Sequence, residues 1–143
     1  MSVSNNFLRL GVLSALVGMA LGVWMGANED FTLRPVHAHV NLLGFASMML
    51  FGLFYRAFPA AGRGWMALTH FVLSVVGFLI LMPSLTLMML QRPLFMPAMI
   101  ASEIMLVGSM ALFVIIVFKA TMAREDPPAR NVRPSPSSRD CER

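Results

Sequence analysis

Apolar residues fill this chain in four long runs, at about 7–27, 36–58, 65–90 and 95–118, and polar or helix-breaking residues gather between them. At 1.5 Å per residue, a helix of that length spans the ~30 Å hydrocarbon layer of a bilayer. The breaks are Asn28-Glu29-Asp30, Pro59-Ala60-Ala61-Gly62-Arg63-Gly64 and Gln91-Arg92-Pro93. Links this short make successive helices antiparallel neighbours. Pro83 falls inside the third run and predicts a kink there, with the freed carbonyl satisfied by a neighbouring group. The pattern predicts an all-α, polytopic membrane protein. A four-transmembrane-helix bundle occupies residues 1–120, without internal repeats.

Composition sharpens this. Of the 143 residues, 57% are hydrophobic and 13% charged, against about 25% charged in soluble domains. No soluble portion is large enough for a separate enzyme domain. Residues 121–143 hold Pro127-Pro128, Pro134-Ser135-Pro136 and mixed charges. That composition predicts a disordered basic tail. The net charge of +4 is spread along the chain, with five arginines against four acids in this tail and six basic against three acidic residues before it; the tail arginines suit anionic headgroups and give no reason to invoke nucleic acid. The lone Cys141 excludes an internal disulfide and an all-thiolate metal site. The first run is longer than a signal-peptide core and reads as a retained helix.

Arg9, Arg56, Arg63, Lys119 and the tail arginines fall on one side of the predicted membrane, and only Arg34 and Arg92 on the other. The positive-inside rule then predicts both termini in the cytoplasm, with residues 28–35 and 91–94 outside. Trp24, Tyr55 and Trp65 lie near predicted helix ends, as an aromatic belt would place them. The expected location is the inner membrane of a bacterium, with the lipid bilayer as first partner.

The chemistry sits in Leu33-Arg34-Pro35-Val36-His37-Ala38-His39-Val40-Asn41-Leu42-Leu43-Gly44. Two histidines and an asparagine enter an otherwise apolar helix there, and polar groups in hydrocarbon mark functional sites by default. Neutral imidazole is a metal and haem ligand. On a regular helix His37 shares a face with Asn41, Gly44, Met48 and Tyr55. A flat cofactor could lie against Gly44, with Asn41 orienting a ligand. His39 lies about 200° around the axis, over Leu43, Ala46, Leu50 and Leu53, so both histidines cannot ligate one iron. The plainer reading is that both are wet or bridge helices.

His70 stands roughly 20 Å in height from His37 and reads as a helix-bridging or interfacial residue. Glu103, in the outer half of the fourth run, reads as protonated, hydrogen-bonded glue between helices, with proton handling as the sharper alternative. Met25, Met82, Met88, Met89, Met96 and Met99 fall near the histidine pair; thioethers suit Cu(I), and methionine is equally an adaptable filler. Gly18, Gly22 and Gly26 form a small-residue ridge, for packing within the bundle or for oligomer formation.

The run Leu33 to His37 resembles the start of the second transmembrane helix in subunit I of haem–copper oxidases and nitric-oxide reductases, the cbb3-type oxidases above all. The spacing of His37 and Asn41 is also similar to that family. The chain further resembles short bacterial four-helix proteins with a His-Ala-His-x-Asn-Leu-Leu-Gly motif. The resemblance implies that His37 is an axial ligand of a low-spin haem. It departs in histidine count: the family uses six metal-ligating histidines and this chain has three. It cannot build the oxygen-reducing centre by itself and is not expected to be an enzyme alone. A homo-oligomer could supply the second ligand, two copies of His37 clamping one haem b.

Three functions are therefore expected to compete. The first is a haem-b-binding membrane protein for electron transfer or haem handling, with His37, His39, Asn41 and Gly44 around the cofactor. The second is copper binding or delivery through His37 and His39. The third is a cofactor-free assembly subunit of a respiratory complex.

Overall fold

The computed structural model describes residues 2–125. Those residues form helices without strands. Helix α1 is Val3–Asn28. The second span runs Arg34–Ala57 and has three parts: α2 (Arg34–His39), a π-helical segment (Val40–Ser47) and α3 (Met48–Ala57). A 3-10 turn at Ala61–Arg63 leads to α4 (Trp65–Met89), and α5 is Met96–Glu125. Four helices are thus long and apolar enough to cross a membrane.

Helix ends follow local chemistry. α1 starts four residues before the apolar run because the Ser2 hydroxyl accepts from the Asn5 backbone N–H at 3.3 Å. It ends at Glu29, left-handed at φ 50°, whose N–H donates to the Gly26 carbonyl. Pro35 sits in the first turn of α2, where its missing N–H is harmless. α4 runs unbroken through Pro83. Beside it, Ser84 and Thr86 hydroxyls donate to the Ile80 and Met82 carbonyls, each at 2.8 Å. α5 continues to Glu125, so residues 121–125 are helix and not tail. Ala120, Met122, Ala123, Arg124 and Glu125 are good helix formers. The rest of the expected tail, 126–143, lies outside the described residues.

Two kinds of packing hold the bundle. α1 lies along the second span through small residues: a side-chain carbon at Gly52 would meet Leu8 at 2.8 Å, and one at Gly11 would meet Met49 at 2.9 Å. α4 and α5 form the other extensive pairing. Its buried positions on α4 are Ala67, His70, Ser74, Gly77, Leu81 and Ser84. Steps of three and four make this a coiled-coil-like seam of mostly small side chains. On α5, Ser102, Ser109 and Ile116 are buried at intervals of seven.

Bulky side chains then join the layers in two clusters. One holds Phe7, Met48, Phe51, Tyr55, Ala67 and Ile116, at the end of the bundle where α1 begins. The other holds Val36, Val40 and Leu85, at the opposite end. We call these the terminal and distal ends.

Candidate functional site

The π-helical segment explains how one row of the second span stays inward, with the polar residues beside it. Val36, Val40, Gly44 and Met48 are all buried, a strict spacing of four. In a regular α-helix such positions drift by about 40° per step. Wider winding removes the drift and keeps them on one side. Side chains secure the change of winding. The Asn41 amide donates to the His37 carbonyl at 2.8 Å, and the Ser47 hydroxyl donates five residues back to Leu42 at 2.9 Å. Single π turns inside helices are frequent at functional sites.

His37 and Asn41, both half-buried, fit into the glycine ridge of α1. A carbon added at Gly22 would lie 2.9 Å from His37 Cε1, and one at Gly18 would lie 2.5 Å from Asn41 Oδ1. The ridge therefore serves packing within the bundle at 18 and 22, while nothing lies within 4 Å of the same position at Gly26. His37 Nδ1 donates to the Gly18 carbonyl at 3.0 Å. A carbonyl only accepts, so Nδ1 carries the proton and Nε2 presents the lone pair. The Asn41 amide nitrogen lies 3.4 Å from that Nε2.

His39 repeats the arrangement on the opposite, exposed face. Its Nδ1 donates to the Pro35 carbonyl at 2.8 Å. Its Nε2 is likewise the lone-pair nitrogen, and no hydrogen bond among the described residues engages it. Gly44 does not offer an open face: Phe78 and Ser14 would stand 2.6 and 2.8 Å from a carbon added there. The surface on which a flat group was expected to lie is filled by α1 and α4.

His70 bridges helices, as one of its two sequence readings had it, and is fully buried, so it is not interfacial. Its Nδ1 lies 3.0 Å from the Tyr55 hydroxyl. Tyr55 is itself 2% exposed, so it belongs to no aromatic belt. The imidazole stacks on Phe113 at 5.0 Å and meets the Phe51 ring edge-to-face at 4.6 Å. Phe7 closes a third side at 5.2 Å. His70 Nε2 has no hydrogen-bond partner among the described residues. Beneath it the Ser74 and Ser109 hydroxyls meet at 2.5 Å, and Ser74 donates to the His70 carbonyl at 2.7 Å. The described residues thus hold two polar centres, at opposite ends, and neither brings all three histidines together.

The remaining candidates separate. Glu103 is exposed on α5 and is not glue within the bundle, because α5 turns the neighbouring Ser102 inward. Met25 is buried, and Met82, Met89 and Met99 pack against the Val36–Val40–Leu85 cluster. Among the described residues no three His, Cys, Asp or Glu side chains converge as a metal site. In the distal loop, Asp30 accepts from the Thr32 N–H and hydroxyl, which holds its carboxyl below the usual 3.8.

No family model, curated protein or solved structure matches this chain.

Proposed function

We propose that the chain is a haem-b-binding protein of a bacterial inner membrane, its cofactor held where two copies meet at the distal end. The observation that carries this is the shared state of His37 and His39. Each donates Nδ1–H to a backbone carbonyl and leaves Nε2 basic. That is the support a metal-bound imidazole receives in its outer coordination shell.

One bundle does not surround a porphyrin, since Gly44 is covered and His70 is enclosed by rings. The exposed His39 suits a haem on the outside of the bundle, which His39 of a second copy would also hold. His37, which the oxidase resemblance favours, then acts as the wedge that fixes the second span on α1. A haem held by two histidines supplies one-electron transfer and leaves no position open for oxygen. The residues themselves orient the ligand nitrogens.

The test is an absorption spectrum of detergent-purified protein from haem-replete cells. The expected result is a Soret band that His39→Ala abolishes and His70→Gln spares. Loss with His37→Ala and retention with His39→Ala would return the ligand to position 37. Absence of a band in the unmodified protein would end the haem reading.

A second reading is favoured by Glu103. A carboxylate on the exposed side of a membrane-length helix calls for a polar partner. A cofactor-free subunit of a larger respiratory complex would meet that need. It predicts co-purification with that complex and tolerance of His39→Gln.

A further inference from the structure

At the terminal end a groove of about 570 Å³ opens between the α3–α4 connection and the last turns of α5. Its walls are apolar: Ala57, Phe58, Ala61, Met66 and Ile116 among them. Among the described residues the charged side chain lining it is Lys119, which is exposed. Arg63, also exposed, closes the 3-10 turn beside it, and Arg56 lies in the last turn of α3. Trp65, 75% exposed, stands at the rim. A volume of this size lies within the range of small-molecule sites. It differs from them in standing at the ends of the membrane spans, where headgroups meet acyl chains.

We propose that this groove seats one acidic phospholipid, an acyl chain on the apolar walls and the phosphate between Lys119 and Arg63. Charge complementarity selects the headgroup, as in basic pockets between membrane helices. Lysine suits the role because its stem packs on apolar surface while its ammonium reaches the headgroup layer. The chain's own remaining segment, 126–143, is rich in Pro, Ser, Arg and Asp, with few apolar residues to fill such walls.

The experiment is native mass spectrometry of the full-length protein in detergent, titrated with dioleoyl-phosphatidylglycerol or dioleoyl-phosphatidylcholine. One phosphatidylglycerol should be retained, at least about tenfold more tightly than phosphatidylcholine. Lys119→Gln should weaken phosphatidylglycerol about fivefold and phosphatidylcholine, whose choline offsets its phosphate, much less. Ala120→Phe or Ala61→Phe, which fill the groove, should weaken both lipids. Their unfolding temperatures without lipid confirm that the bundle still forms. Equal retention of the two lipids would overturn the proposal, as would indifference to all three variants. So would phosphatidylglycerol binding that strengthens when residues 127–143 are removed, since the tail would then own the groove.

Discussion

The two polar centres solve the same problem in opposite ways. At the distal end, His37 and Asn41 are accommodated by absence of bulk: Gly18 and Gly22 leave room, and backbone carbonyls take the hydrogen bonds. At the terminal end, His70 is accommodated by bulk, with Phe7, Phe51 and Phe113 around it and a single bond to Tyr55. The first leaves basic nitrogens with little to hold them, one on an exposed face. The second seals its imidazole completely. A site that must take a ligand needs the first design, and a site that must pin helices together is served by the second.

The comparison breaks most easily at the aromatic box. Phe51→Ala should destabilise the bundle by about 3 kcal/mol, read from unfolding in detergent, because its ring touches both His70 and Phe113. A loss of less than about 1 kcal/mol would mean that the box is loosely packed. Next comes the glycine ridge. Gly18→Leu should cost about 2 kcal/mol by displacing Asn41, whereas Gly26→Leu should be nearly neutral, nothing lying near it. Equal effects would deny that the ridge belongs to the bundle interior. Asn41→Leu removes the bond at the entry to the π-helical segment and should cost about 1 kcal/mol.

Smaller effects sharpen the distal loops. Glu29 and Gln91 hold left-handed φ of 50° and 52° at helix ends, a conformation that side chains disfavour. Glu29→Gly or Gln91→Gly should stabilise by about 0.5–1 kcal/mol, measured as a raised unfolding midpoint. Smallest is the Asp30 turn. Its carboxyl is held below 3.8 by Thr32, so its contribution is present above that pH and fades as pH falls through the folded value. Protection of the Thr32 amide, taken relative to its intrinsic exchange rate at each pH, should fall there, and Asp30→Asn should remove that change.

Much of the fold was legible because hydrocarbon imposes one requirement on every residue of a span. Four apolar runs of helical length could form little else, and the breaks fell where Pro, Gly and charges stood. The His37–Met48 stripe was legible as a face. What made the stripe straight was not, because π winding leaves no period of its own in so short a segment. The seam through Ala67, Ser74, Gly77 and Ser84 was written in steps of three and four, but uniform apolarity hid it. The bridging role of His70 was legible, but the burial of His70 and of Tyr55 was not, because it depends on rings from three helices that meet at one level. Glu103 fails for a related reason. One residue's rotation separates it from Ser102, and only the α4–α5 contact decides which of the two turns inward.

The central claim is that the open nitrogens of the distal end bind haem between two copies while the sealed imidazole of the terminal end does not. The most direct measurement is the haem-to-protein ratio of the purified protein, by pyridine haemochrome and quantitative amino-acid analysis. The account predicts one haem for every two chains, unchanged by His70→Gln. One haem per chain, or none, would contradict it.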